Sequence, residues 1–248
     1  MPCVHDPETE TLERLKIGGL QIVQPRHGYR FSLDAVLLAD FMTVKPTDRL
    51  IDLGTGTGII PLLTSALQPA RAIVGLELQE RLAVLARRNV QLNALEEWIT
   101  IVQGDLKRVN DLFHAGEFDV LCSNPPYRRL GSGRLNPVSE QAVARHEIAC
   151  ELEALLAACC YLLKSGGKAF FIYLAERLSE FLCGLRGHQL EAKTLRCIHS
   201  SVDAPATLVL LEAQKQARPG VTILPPLVLY RRENVYSEEA KRILHEDS

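Results

Sequence analysis

A chain of 248 residues with 47% hydrophobic side chains is long enough for one sizeable α/β domain and too short for more than two small ones, and a single domain over 1–248 is expected. Its 28 Lys and Arg against 30 Asp and Glu leave a net charge of -2, which excludes coating of nucleic acid by bulk electrostatics and leaves only a local basic patch for a polyanion. Met1 to Glu10 is polar and acidic rather than a secretory signal, and no apolar run nears the roughly 18 residues of a membrane span, so a soluble cytoplasmic protein is expected.

Along the chain, Leu20 to Val23 and Tyr29 to Phe31 read as short extended pieces around Pro25 and Gly28, a predicted hairpin. Ser32 then caps a helix carrying Leu33, Val36, Leu37, Asp40 and Phe41 at helical spacing, closed by Pro46; hairpin and helix together form an N-terminal unit over 1–47. Arg49 to Leu53 is a buried strand, Gly54 to Gly58 a tight turn, Ile59 to Leu67 a helix and Ala72 to Leu76 the second strand. Gln79 to Asn93 reads as a helix with Leu78, Leu82, Leu85 and Leu92 on one face and Glu80, Arg81, Arg87 and Arg88 in solvent. Ile99 to Val102 and Phe118 to Cys122 are the third and fourth strands.

The period of about 25 residues is that of βαβ units, hence a mostly parallel sheet with helices on both faces. An irregular stretch from Arg128 to Ile148 follows, then a helix with Leu152, Leu155, Leu156, Cys159 and Leu163 in one stripe. Lys168 to Tyr173 is the fifth strand and Glu176 to Leu185 a helix. Leu190 to Cys197 and Ala206 to Glu212 have no helix between them, so they close the seven-stranded sheet as an antiparallel pair. A polar tail from Ser237 reads as a surface helix. The seven cysteines lack C-x-x-C spacing and sit mostly in apolar elements, so they read as reduced core residues and no metal is expected.

Chemistry collects at the predicted strand ends. Gly54, Gly56 and Gly58 form a turn where backbone approaches a small ligand with free N–H groups, but the spacing is not the dinucleotide G-x-G-x-x-G. Asp52 before it would repel a pyrophosphate and suits an ammonium, which S-adenosylmethionine carries without any phosphate. Glu77 ends the second strand, where an acid accepts hydrogen bonds from ribose hydroxyls, and Asp105 after the third could reach an adenine amino group.

After the fourth strand, Ser123-Asn124-Pro125-Pro126-Tyr127 breaks the ladder, since two prolines remove two donors and leave their carbonyls free. Taken alone it is a proline turn. In the same crevice as the glycine turn it offers the Asn124 amide oxygen, the Pro125 carbonyl and the Tyr127 face to a planar group bearing an NH₂. Two accepted N–H bonds draw such a nitrogen toward a tetrahedral shape, which suits in-line methyl transfer. Adenine, cytosine, guanine N2 and a glutamine amide all fit this pattern. Arg128, Arg129, Arg134, Arg145 and His146, with Gly131 and Gly133 among them, read as a loop contacting nucleic-acid phosphates.

Together these residues resemble the S-adenosyl-L-methionine-dependent bacterial methyltransferases, of Rossmann-like class I fold, that modify the adenine N6 beside the anticodon of a valine tRNA. The resemblance rests on Gly28 to Ala39, Asp52 to Pro61, Asn124-Pro125-Pro126-Tyr127, Ala144-Arg145-His146-Glu147, Pro226 to Tyr230 and Tyr236-Ser237. It implies a segment covering the methionine end of the cofactor, with Tyr29, Phe31, Ser32 and Asp34 as contacts, and S-adenosyl-L-homocysteine as product. His199-Ser200 departs from an expected His-Pro, and Thr57 from a commoner Ser. Rival readings are an amino-methyltransferase for guanine N2 of ribosomal RNA or for a protein glutamine, a non-catalytic cofactor binder, and a dinucleotide-binding dehydrogenase.

Overall fold

The computed structural model of the protein describes residues 5–27, 30–125, 151–233 and 235–246. Strands are β1 (Glu10–Arg14), β2 (Gln21–Pro25), β3 (Arg49–Leu53), β4 (Ala72–Glu77), β5 (Ile99–Gln103), β6 (Phe118–Ser123), β7 (Leu163–Leu174), β8 (Leu190–His199) and β9 (Ala206–Lys215). Four short ones follow: β10 (Thr222–Ile223), β11 (Leu227–Val228), β12 (Tyr230–Arg232) and β13 (Val235–Tyr236). Helices are α1 (Leu33–Phe41), α2 (Ile59–Leu67), α3 (Glu80–Leu92), α4 (151–162), α5 (Leu178–Gly187) and α6 (Glu238–Leu244).

The long strands lie in the order β8-β9-β7-β6-β3-β4-β5. β9 runs antiparallel to both β7 and β8, and the other neighbours in this series are parallel. This is the expected seven-stranded α/β sheet, and the two-residue strands β10 and β11 add themselves to the edge at β8. Alternate residues go to opposite faces: Leu50, Val120 and Phe170 pack under α1 and α2, whereas Ile51, Leu121 and Phe171 pack under α4 and α5. Both faces being covered, β3 is buried at every residue from Leu50 to Leu53 rather than at alternate ones, Asp52 included.

Several expectations are corrected. The N-terminal hairpin pairs Glu10–Arg14 with Gln21–Pro25, and Phe31 lies outside any strand. Its turn uses Gly18 and Gly19, both at positive φ (61° and 64°), where glycine carries no Cβ penalty. The sequence Glu-Thr-Leu-Glu-Arg of β1 is polar because none of its residues is buried, whereas Ile22 to Pro25 of β2 are. Leu78 precedes α3 and is 63% exposed rather than buried on its face. Arg88 is held half-buried by both Glu10 carboxylate oxygens at 2.7 and 3.0 Å. Cys122 and Cys159 are buried as expected, but Cys183 is exposed on α5. Ser32 occupies the start of α1 without capping it through its side chain, whereas Ser237 Oγ does cap α6, accepting the Ala240 N–H at 3.1 Å. No described helix is long and apolar enough to cross a membrane.

Candidate active site

β3 is the point where the sheet turns back on itself: β4 and β5 continue to one side and β6 and β7 to the other. Loops leaving the carboxyl ends of β3 and β6 therefore part, and such a switch point opens a crevice. There the structure holds a cavity of about 320 Å³ lined by Gly54, Gly56, Glu77, Asp105, Asn124 and Pro125 among others. The expected convergence of the glycine turn and the proline corner is thus met by six of the residues singled out from sequence.

The turn is locked from within. Gly54 and Thr55 N–H both donate to the Leu76 carbonyl, at 2.9 and 3.0 Å, and Gly58 N–H donates to the Thr55 carbonyl at 2.9 Å. Gly56 N–H donates to Glu77 Oε2 and Gln79 N–H to Glu77 Oε1, each at 2.8 Å. The expectation of free N–H groups facing a ligand is corrected accordingly: four of the five turn residues spend their donors, Gly54, Thr55 and Gly56 on β4 and Gly58 within the turn itself. Glu77 is 6% exposed and lines the cavity; its Oε2 holds the turn and its Oε1 the start of α3, and each oxygen keeps a further lone pair able to accept. A Cβ built on Gly54 meets nothing within 4 Å, so the backbone there faces open space.

Around the crevice, Gly104 N–H donates to the Glu77 carbonyl at 2.9 Å and brings Asp105 alongside. Asp105 Oδ1 accepts the Lys107 N–H at 2.9 Å, which caps a short 3-10 turn. Ser123 Oγ donates to the Leu53 carbonyl at 2.8 Å, tying the end of β6 to the end of β3 and fixing where Asn124 leaves the sheet.

Other expected residues lie elsewhere. Asp52 is fully buried behind the turn and does not reach the cavity wall. Its Oδ1 accepts from Cys122 Sγ at 3.6 Å, and Oδ2 has no hydrogen-bond partner. Burial pushes its pKa up to about 7; the adjacent Thr55 hydroxyl, short of good hydrogen-bond geometry, opposes the rise, and the Glu77 charge adds to it. Gly58, at φ 82°, heads α2, where a Cβ would press on Ala86 Cβ at 3.3 Å. Phe31, Ser32 and Asp34 are not on the cavity wall. Phe31 N–H is held by Gln24 Oε1 at 2.9 Å, and burial raises the Asp34 pKa against a hydrogen bond from Ser32. Tyr29, Tyr127, Arg128, Arg129, Arg134, Arg145 and His146, with the Arg128 to Ile148 stretch, lie outside the described residues.

The structure adds wall residues that the sequence reading does not include: Leu78 and Gln79 after β4, Leu106 and Lys107 after Asp105, Leu152 and Leu155 of α4, and Tyr173 near the end of β7. A signal for them exists, since each of the first four follows a residue already placed at a strand end. Tyr173 stacks on Phe181 with ring centres 4.6 Å apart and an interplanar angle of 21°. The wall combines apolar side chains with the carboxylates of Glu77, Asp105 and Glu151, the amides of Gln79 and Asn124 and the Lys107 side chain, a mainly acidic edge that suits a flat, polar-edged, phosphate-free ligand.

The chain matches the model of the methyltransferase small domain over residues 31–172. It is 28% identical over 187 residues to the tRNA1(Val) (adenine(37)-N6)-methyltransferase of Aeromonas hydrophila, covering 75% of this chain and 77% of that one. The protein of the same name from Porphyromonas gingivalis is 28% identical over 229 residues, covering 86% of each chain. Among solved structures, a predicted O-methyltransferase from Agrobacterium tumefaciens superposes with a TM-score of 0.69 at 20% identity, over 86% of this chain and 95% of that one. TrmN from Thermus thermophilus gives 0.55 at 19% identity, over 73% and 47%.

Proposed function

Because the chain belongs to the methyltransferase small domain family, we propose that it transfers a methyl group from S-adenosyl-L-methionine to the exocyclic N6 of an adenine in tRNA, the one beside the anticodon of valine tRNA. The observation that carries this reading is the single cavity onto which Gly54, Glu77, Asp105, Asn124 and Pro125 all open. Its volume of about 320 Å³ lies within the range of ligand clefts, and the Glu77 and Asp105 carboxylates favour hydroxyl and amino groups over phosphate. The cofactor therefore fits: Gly54 and Gly56 backbone would lie against it, Glu77 would accept from its ribose hydroxyls and Asp105 from its adenine amino group. Tyr29, Phe31, Ser32 and Asp34 would serve its methionine end as the resemblance implies, and since the last three lie off the cavity wall that end would have to extend beyond it. Bound there, it supplies an activated methyl group on a sulfonium and leaves as S-adenosyl-L-homocysteine.

What the chain itself contributes is geometry. Asn124 Oδ1 and the Pro125 carbonyl each accept one N–H of the target amine, so that its lone pair leaves the plane of the base. With the cofactor bound, the exposed lone pair would take its methyl group, the bonding pair returning to sulfur, and the methylated amine would release its proton to water. No strong base is needed. Tyr127 stacks on a base taken out of its surroundings, and Arg128, Arg129, Arg134, Arg145 and His146 meet phosphates of a tRNA loop. The chain acts as one cytoplasmic methyltransferase domain, with 1–47 forming part of its cofactor site.

Methyl transfer from tritiated donor to bulk tRNA, followed by nucleoside digestion, should place label in N6-methyladenosine. Label confined to N2-methylguanosine or to protein would remove the substrate assignment. Asn124→Ala should abolish turnover while S-adenosyl-L-homocysteine affinity by calorimetry stays within a few fold, and an active variant would refute the role of that amide. Charge reversal at Arg128 or Arg129 should raise the KM for tRNA and lower the salt dependence of binding by about one unit in log–log slope for each phosphate no longer neutralised. An unchanged slope would leave those arginines without a phosphate.

A further inference from the structure

The glycine turn has a second neighbour besides β4. Asn89, on α3, is fully buried and spends its amide on two different elements. Its Nδ2 donates one hydrogen to the Thr57 carbonyl, inside the turn, at 2.9 Å, and the other to the Val23 carbonyl of β2 at 3.0 Å. Its Oδ1 accepts the Val23 N–H at 2.7 Å. One helical turn on, Asn93 makes the equivalent pair with Gln21: Oδ1 accepts its N–H at 2.9 Å, and Nδ2 donates to its carbonyl at 2.7 Å. Asn93 has no bond to the glycine turn; its amide also donates to the Asn89 carbonyl at 2.7 Å.

The match is geometric. Residues i and i+4 of a helix rise about 6 Å, close to the roughly 6.6 Å between residues i and i+2 of a strand, so two asparagines on one helix face stand in for a neighbouring strand. They close the edge of β2 that β1 leaves unpaired. From β2 the same polar line continues, because buried Gln24 holds the Phe31 N–H at the entry to α1. At its other end, α3 approaches the turn so closely at Ala86 that a Cβ on Gly58 would lie 3.3 Å from the Ala86 Cβ, and the Asn89 hydrogen bond to Thr57 joins the two.

We infer that Asn89 is a positioning residue for the cofactor site: its amide sets the glycine turn in register with the N-terminal hairpin, so that ligand held by the turn and docking of the hairpin reinforce one another. This rests on the cofactor reading above. Asn89 touches nothing in the cavity and acts only through Thr57 and Val23.

Asn89→Ala and Asn93→Ala separate positioning from plain structural support, since both loosen β2 and only the first frees the turn. By calorimetry with S-adenosyl-L-homocysteine, Asn89→Ala should weaken binding about tenfold, the worth of one buried hydrogen bond. Asn93→Ala should stay within about twofold even though both variants lower Tm. Equal losses of affinity in the two, or none in Asn89→Ala, would overturn the inference. Should Asn89→Ala fail to fold, amide exchange in the wild-type protein decides: saturating S-adenosyl-L-homocysteine should slow exchange at Val23 by about fivefold or more, the lower end of ordinary coupling. Unchanged exchange at Val23 would overturn it. A wild-type protein that binds no S-adenosyl-L-homocysteine refutes the cofactor reading instead, before either variant is compared.

Discussion

Asp52 and Glu77 are two buried carboxylates near the ends of the neighbouring strands β3 and β4, and the difference between them lies in their partners. Glu77 accepts two backbone N–H groups, whereas Asp52 has one weak thiol donor and an oxygen with nothing bonded to it. Desolvation therefore governs Asp52 and raises its pKa from the ordinary 3.8 to about 7. The folded protein keeps a proton on this group over a pH range in which the unfolded chain has released it. The stability it contributes is thus complete below pH 3.8, falls as pH rises toward 7 and is level above that. Asp52→Asn should be more stable than the parent above pH 7, by at most about 4 kcal/mol, with the advantage vanishing near pH 4. Urea titrations across pH would test this, and a difference independent of pH would show that Asp52 is not the titrating group. An acid at this position of the sequence invites a ligand-binding reading. Its burial comes from β6, 70 residues away, and no local spacing reports that.

Elements are legible in the sequence where two neighbours impose one pattern. Strand β3 and helix α2 end where their sequences say they should, because the glycine turn parts them and prolines stand just outside, Pro46 before β3 and Pro69 after α2. β1 is not legible, since none of its five residues is buried and its one apolar side chain, Leu12, is 39% exposed, so no burial pattern is written into it. The turn between β3 and α2 depends equally on what lies across from it. A Cβ on Gly75 of β4 would sit 2.9 Å from both Thr55 Oγ1 and Cγ2 and 2.8 Å from Ile101 Cδ1. Gly75→Ala should push the turn outward, cost about 1–3 kcal/mol and weaken S-adenosyl-L-homocysteine binding. Gly54→Ala meets no atom and should cost about 1–2 kcal/mol of stability for its φ of 78°. Thermal melts and calorimetry on the pair measure both effects, and unaltered ligand binding by Gly75→Ala would show that the turn tolerates the displacement.

At the scale of the molecule, the matched span of 31–172 leaves out pieces that its core requires. Ile22 of β2 is fully buried in the same cluster as Leu37, Leu50 and Leu62, and Ile243 of α6 joins it from the other terminus. Ile22→Ala should therefore cost about 2–5 kcal/mol, as a core substitution does, and a loss under about 1 kcal/mol in urea titration would make the hairpin an appendage. By itself the sequence determined the α/β class, the strand–turn–helix units, the antiparallel closing pair and the acids and amide at strand ends, because these follow from local periodicity and from glycine and proline stereochemistry. Only the tertiary structure decided that Asp52 faces inward, that the turn's own N–H groups are already taken, that Tyr173 and α4 form part of the wall, and that Asn89 joins the turn to β2. Those outcomes depend on which residues from distant segments desolvate or hydrogen-bond one another, and such pairings exist only once the sheet is assembled.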